Sequence, residues 1–330
     1  MNTPLFSASL VAFALTLYVL LDGFDLGVGC LLLFERHERV RDHMMDSITP
    51  TWDGNETWLV MAAVVLFAAF PISYGVLLPA LYLPVVVMLL ALGVRGVCFE
   101  FRTQIQDLRG YWDIVFAVGS AIAALMQGMI LGAMLQGIDV KGNAFGGRVT
   151  DFATPYSFLC GVTVLCAYAI LGAGWLRYKG TAILHSFSLR AITTLIPIFV
   201  LMFGTASVLS LRVQPAIVAV WHQDSLWLGT LVAIMLFNCL WLLSAGRSRS
   251  DFYPFLSALV LVAAGVVGLM VIIFPNIVPF RIALWDAASS SLSQIFVLVG
   301  ACAVIPVVLG YSFFAYWVFR GKTPREGWDA

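Results

Sequence analysis

Three aspartates sit where a negative charge is hard to keep. Asp22 and Asp25 occur in Leu20-Leu21-Asp22-Gly23-Phe24-Asp25-Leu26-Gly27-Val28-Gly29, inside a largely apolar stretch from Leu5 to Phe34. Asp53 follows in Thr51-Trp52-Asp53-Gly54-Asn55-Glu56-Thr57-Trp58, where the next apolar run begins. A carboxylate inside a membrane helix costs about 2.5–3.5 kcal/mol on insertion scales unless protein, water or a proton compensates it. Residues held there as a rule serve ions or protons.

Asp22 and Asp25 are three apart and share one helical face. Gly23 and Gly27, with Gly29 beyond, are small enough to admit a second helix and shield polar groups from lipid. Two readings fit the pair: a buried site that relays protons or binds a cation, or a polar contact that locks two helices. Asp53 reads first as the N-cap of the next span, with Glu56 three residues on in capping-box spacing and Gly54-Asn55 as a turn signal. It also fits the outermost carboxylate of a proton path, and the two roles are compatible.

The elements that must position these residues follow from composition. The 330 residues are 61% hydrophobic and 11% charged, with a mean hydropathy of +0.96. Soluble domains run near 25% charged, so the chain reads as an all-α integral membrane protein with little mass outside the bilayer. A net charge of zero offers no basic surface for nucleic acid. A span needs roughly 20 apolar residues. Nine are predicted, at roughly residues 5–33, 56–75, 77–98, 112–136, 155–176, 189–211, 226–245, 253–275 and 292–319. Pro79, Pro84, Pro197 and Pro306 fall inside spans and should kink them. The N-terminus has no basic residue before the first apolar run, which is too long for the core of a signal peptide.

Charge sets the orientation. Arg36, Arg39, Arg41, Arg95, Arg102, Arg109, Arg177, Lys179, Arg190, Arg247, Arg249, Arg320, Lys322 and Arg325 fall on one side. Lys141, Arg148, Arg212 and Arg281 fall on the other. The positive-inside rule puts the N-terminus outside and the C-terminus in the cytoplasm. The three aspartates then approach the cytoplasmic side.

In Val94-Arg95-Gly96-Val97-Cys98-Phe99-Glu100-Phe101-Arg102, aromatics interleave with charge. Such a segment could cradle a quinone or a lipid head; its plainer reading is arginines snorkelling at an interfacial belt. Trp285-Asp286 with Ser289, Ser290, Ser291 and Ser293 opens the ninth span as a capping or contact region. Cys30, Cys98, Cys160, Cys166, Cys239 and Cys302 read as small buried hydrophobes. His37, His43, His185 and His222 are all placed in loops. A membrane cytochrome takes its haem ligands from helix interiors, so no haem or other metal is expected on this chain's own ligands.

Asp22-Gly23-Phe24-Asp25-Leu26-Gly27-Val28-Gly29, Trp52-Asp53-Gly54-Asn55 and Phe67-Ala68-Ala69-Phe70-Pro71 resemble subunit II of the cytochrome bd-type quinol oxidases. Arg95 through Arg102, Phe274-Pro275 and Leu284-Trp285-Asp286-Ala287 match in order. The similarity covers essentially the whole chain, and Gly54-Asn55-Glu56-Thr57-Trp58 resembles the cyanide-insensitive branch. The resemblance implies one membrane domain of nine transmembrane helices: a four-helix bundle over 1–136, a second over 155–275, and a peripheral helix at 292–319. It implies a heterodimer in which subunit I holds haems b and d, with room for a small third subunit. The complex would oxidise quinol and reduce O2 to water, building a proton-motive force without a pump, in a bacterial inner membrane. It places Asp53 and Asp25, with Asp22 beside them, on a cytoplasmic proton inlet. It also places a structural quinone, where subunit II holds one, near Trp52, Arg95 and Arg102. A different class remains open: a stand-alone ion-coupled transporter, which intramembrane carboxylates and broken helices also suit. Such a protein should show internal repeats and a midplane site, whereas no clear repeat is visible and the acids lie off centre.

Overall fold

The computed structural model describes residues 2–180, 182–244 and 250–322. Arg247, Arg249 and Arg325, used above for the orientation, lie outside the described residues, as does the end of the seventh predicted span.

The apolar runs fold into helices: α1 (Thr3–Leu32), α2 (Glu38–Asp46), α3 (Trp52–Ala69), α4 (Pro71–Ala80), α5 (Tyr82–Gln104), α6 (Arg109–Gln136) and α7 (Pro155–Lys179). They continue as α8 (Ala182–Val213), α9 (Pro215–Gln223), α10 (Ser225–Leu243), α11 (Phe252–Ile273), α12 (Leu284–Ala287) and α13 (Ser291–Val318). Two small antiparallel hairpins interrupt them: β1 (Val140–Lys141) with β2 (Ala144–Phe145), and β3 (Asn276–Val278) with β4 (Ile282–Ala283). Among the described residues, eight helices are long and apolar enough to cross a membrane: α1, α5, α6, α7, α8, α10, α11 and α13. The chain is therefore an all-helical, multi-pass membrane protein.

The second and third predicted spans differ from what forms. Phe70 breaks the helix just before Pro71, and Leu81 breaks it again, leaving the ten-residue α4 between α3 and α5. Pro71 lacks the N–H that would continue α3, but it suits the first turn of a new helix. Hydropathy cannot mark such a break because both sides are apolar. Pro79, Pro197 and Pro306 do lie within helices, whereas Pro84 falls in the first turn of α5.

Side-chain caps mark the starts of α7, α9 and α13; at α9 the Gln214 side chain accepts from Ala216 N. The Thr154 side chain accepts from Ser157 N ahead of Pro155 to open α7. Ser290 accepts from Ser293 N to open α13, so the serine cluster is a capping region. Asp53 is not a cap. The helix starts at Trp52 after Thr51, so Asp53 stands in its first turn, and Gly54-Asn55 is helix rather than turn. An acid there is still favoured, because the first-turn N–H groups carry partial positive charge.

Helix α7 is central and mostly buried. It packs on α1, α6, α8 and α11; α1 also lies on α3 and α6, α5 on α6, and α10 on α11. At the α1–α7 crossing, a Cβ on Gly27 would come 1.8 Å from the Tyr168 carbonyl oxygen, and one on Gly172 2.4 Å from the Gly27 backbone. Only glycines permit that approach, as the small-residue spacing predicts. Phe24 stacks on Trp175 at 4.3 Å and meets Phe255 edge-on beside the crossing. Little of α13 is buried; it rests on α1 and α3.

Two smaller expectations change. Cys302 is exposed on α13, while the other five cysteines are buried, and all six are free thiols. Three of the four histidines are in helices rather than loops: His43 in α2, His222 in α9, and His185 in the opening turns of α8, beside Asp251 and the Gly180 carbonyl.

Candidate functional site

Asp22 and Asp25 are both fully buried. One turn of α1 separates them, and that spacing gives each a different partner. Asp22 Oδ1 accepts from Arg95 Nη2 of α5 at 2.6 Å. The same nitrogen donates to Glu56 Oε1 of α3 at 2.5 Å. The Arg95 side chain is wholly buried, whereas that of Glu56 is 24% exposed. Asp25 Oδ2 accepts from Asn55 Nδ2 at 2.7 Å, and Asn55 Oδ1 accepts from the Tyr316 hydroxyl of α13 at 2.9 Å. Four helices thus meet on one polar cluster.

Arg95 is therefore not an interfacial snorkelling residue. It lies inside α5 and compensates Asp22, a pairing across 73 positions of sequence. Three carboxyl groups, Asp22, Asp25 and Glu56, surround one guanidinium. Burying two unbalanced negative charges is far less favourable than binding protons or a cation. Asp22 Oδ2, Asp25 Oδ1, Arg95 Nε and Arg95 Nη1 find no protein partner. Buried polar atoms of that kind call for a further hydrogen-bonding group, most simply water.

A second polar strand touches it from above. Tyr18, one turn before Asp22 on α1, accepts from Gln127 Nε2 at 2.7 Å, and Tyr168 donates to Gln127 Oε1 at 2.7 Å. Tyr18 is near enough to Asp22 to feel its charge.

Asp53 stands apart. It is exposed, and it adjoins the cluster only through Glu56, one turn further along α3. Trp52 is half-buried; its ring stacks on Phe99 at 4.8 Å and lies over Gly96, whose missing Cβ makes room for it. Arg102 belongs to a separate network: it donates to Asp113 Oδ1 at 2.6 Å and to Asp42, while Arg41 donates to Asp113 Oδ2 at 2.8 Å. That network ties α2, α5 and α6 together. The structure thus brings Asp22, Asp25 and Arg95 into one cluster and leaves Asp53, Trp52 and Arg102 outside it. Glu56 as a partner of Arg95, Asn55, Tyr316 and Gln127 were not singled out from sequence. One signal was available: a lone arginine in an apolar run invites pairing with a lone aspartate in another. Among the described residues, no group of three or more His, Cys, Asp or Glu side chains forms a metal-holding set.

A bundle of apolar helices closed around a carboxylate–guanidinium cluster defines a multi-pass membrane protein with ionisable groups among its helices. The sequence profile described as cytochrome bd terminal oxidase subunit II matches residues 3–319, and the chain belongs to that family. As a member it is a subunit of a terminal oxidase. It is 30% identical to a probable cytochrome oxidase subunit 2 from Haemophilus influenzae, over 95% of this chain and 92% of that one. It is 26% identical to the cytochrome bd-I ubiquinol oxidase subunit 2 of Escherichia coli, over 96% and 93%. It is 28% identical to the cytochrome bd ubiquinol oxidase subunit 2 of Bacillus subtilis, over 96% of each. The fold is similar to a chain in the structure of bd oxidase from Geobacillus thermodenitrificans, with a TM-score of 0.72 at 13% identity, over 97% of this chain and 99% of that one.

Proposed function

We propose that this chain is the haem-free subunit II of a cytochrome bd-type oxidase that oxidises quinol and reduces O2 to water. It would pair with a haem-bearing subunit I in a bacterial inner membrane and form the cytoplasmic proton inlet. In this reading it crosses the bilayer nine times, α3 joining the eight longer apolar helices, with the N-terminus outside and the C-terminus in the cytoplasm. Helices α1, α3, α5 and α6 form one four-helix bundle, α7, α8, α10 and α11 the second, and α13 lies at the periphery.

The cluster formed by the buried Asp22 and Asp25 and the partly exposed Glu56 beside Arg95 carries the proposal. Reduction of O2 to water consumes protons, and oxidation of quinol releases them; taking the first from the cytoplasm and releasing the second outside stores energy without a pump. The partner's haems would supply the redox chemistry. This chain's part is to hold and pass protons: Asp53 at the surface, Glu56 one turn inward, Arg95 setting the charge balance, and Asp22 and Asp25 as the buried acceptors.

A structural quinone near Trp52, Arg95 and Arg102 belongs to the same reading, but the residues fit it poorly. Phe99 covers one face of Trp52, and both arginines are engaged by carboxylates.

The test is Asp25→Asn and Asp53→Asn in the assembled oxidase. Oxygen consumption should fall by at least tenfold in Asp25→Asn and by less in Asp53→Asn, with the haem spectrum unchanged. Normal turnover in both removes the inlet, and loss of the haems assigns these residues to assembly instead.

A further inference from the structure

A cavity of about 240 Å³ opens where α2 runs into α3 and where α7 and α13 end. Asp46, Ser47, Thr51, Lys179, Tyr316 and Lys322 are in its wall. A second cavity of about 10 Å³ lies beyond it, bounded by Thr51, Asn55, Ser312 and Tyr316. Pro50, Thr51 and Tyr316 belong to both walls. Holding one water takes roughly 10–15 Å³, so the outer cavity takes several and the inner one at most. The shared wall carries the Thr51 and Tyr316 hydroxyls and is one amide away from Asp25: the Tyr316 hydroxyl donates to Asn55 Oδ1 at 2.9 Å, and Asn55 Nδ2 donates to Asp25 Oδ2 at 2.7 Å.

Asn55 cannot relay a proton itself, because its amide neither gains nor loses one readily. Its place is that of a latch. While the Tyr316 hydroxyl is bonded to Asn55, the outer cavity ends at the phenol ring. Breaking that bond would free the ring both cavities share and open a way between them to Asn55, which lines the second, and to the buried carboxyl behind it. The cations in the outer wall are turned elsewhere: Lys179 donates to the Phe319 carbonyl, Lys322 to Asp251, and Arg320 to the Trp317 carbonyl while lying over the Trp317 ring. Asp46 is the carboxylate in that wall. Partial desolvation by its surroundings, and then the nearby Asp42, raise its pKa above the ordinary aspartate value, which suits proton exchange at an opening.

We propose that this chain has its own hydrated doorway to Asp25, through the crevice between α3 and α13, closed by the Tyr316–Asn55 hydrogen bond and separate from Asp53. The proposal rests on the proton-inlet reading above and adds the route and the gating residue. On the proposed orientation the doorway faces the cytoplasm.

The experiment uses the assembled oxidase carrying Thr51→Cys, in membrane vesicles with the cytoplasmic face outward. A positively charged, water-soluble methanethiosulfonate reagent is applied, with the wild type treated in parallel. The thiol should be modified, and oxygen consumption should drop several-fold and recover on reduction with dithiothreitol. Failure to modify it overturns the doorway, as does modification that leaves turnover unchanged. Should Thr51→Cys not assemble, as read from the haem spectrum, Ser47→Cys in the outer wall takes its place. The latch is read separately. Ser312→Cys in the inner wall should react slowly, and several-fold faster when Tyr316→Phe is added; equal rates overturn the gating role. Slow turnover in Asp25→Asn together with normal turnover in modified Thr51→Cys sinks the doorway and leaves the inlet reading standing. Normal turnover in Asp25→Asn removes both.

Discussion

Replacing Arg95 by glutamine should destabilise the assembled protein by about 3–5 kcal/mol, the usual loss when one partner of a buried ion pair is removed. The guanidinium is wholly buried and touches two carboxylates, at 2.6 Å to Asp22 and 2.5 Å to Glu56. At an effective dielectric near 20, charges about 4 Å apart attract by roughly 4 kcal/mol, so two such contacts supply about twice that. Desolvation of all three groups offsets much of it, and the larger part of the loss comes from stranding the acids. Asp22→Asn should be milder, because Arg95 keeps Glu56. The double variant Asp22→Asn with Arg95→Gln removes one charge of each sign, and it should recover about 1–3 kcal/mol of the single loss as coupling between contacting residues. Thermal melting of the purified oxidase in detergent, followed by haem absorbance, should rank wild type first, then Asp22→Asn, the double variant and Arg95→Gln. A double variant that melts no higher than Arg95→Gln refutes the pairing. An Arg95→Gln protein that melts with wild type refutes the whole electrostatic argument.

The α1–α7 crossing predicts that Gly27→Ala loses at least about 1–3 kcal/mol by overpacking, since the added Cβ would lie 1.8 Å from the Tyr168 carbonyl oxygen, a backbone atom with little room to retreat. Gly204→Ala and Gly229→Ala, with nothing within 4 Å of the added methyl, should be neutral or gain up to about 1 kcal/mol; equal melting of all three would discredit the crossing. Asp251 gives the pH dependence. Desolvation pushes its pKa up, but the Lys322 hydrogen bond and the charges of His185, Lys322 and Arg177 outweigh that and hold it below the ordinary aspartate value. A depressed carboxyl contributes stability that is complete above its unfolded value, near 3.9, and lost as pH falls through the folded one. The melting gap between wild type and Asp251→Asn should therefore close as pH drops from about 5 towards 3. A gap that widens over that range contradicts the assignment.

The class of protein was legible because it rests on local quantities. Long apolar runs, glycines at helical spacing and acids inside those runs each report on a few neighbouring residues. Asp22 and Asp25 were marked on that ground, and both are buried. What escaped depends on partners distant in the chain. Arg95 looked interfacial because its own neighbours hold aromatics and charge, whereas its environment is set by Asp22, 73 positions away. Tyr316 sits in a helix with nothing distinctive around it, and its meaning comes from Asn55, 261 positions earlier. The cap expected at Asp53 falls two residues earlier, at Thr51, because the helix starts at Trp52, and Thr51 makes no side-chain cap to mark the boundary. The short helix α4 was invisible because apolarity is continuous across Phe70 and Leu81.

The bare contact of Gly27 with Gly172 has a mechanical consequence. Machines that carry solutes by rocking one half of a bundle against the other require a seam with slack, cushioned by side chains that can exchange neighbours. Here the first and seventh helices meet backbone to backbone, with no such cushion, and aromatic rings wedge the space beside them. A joint of that kind behaves as a rivet: the first helix cannot slide over the seventh without backbone meeting backbone.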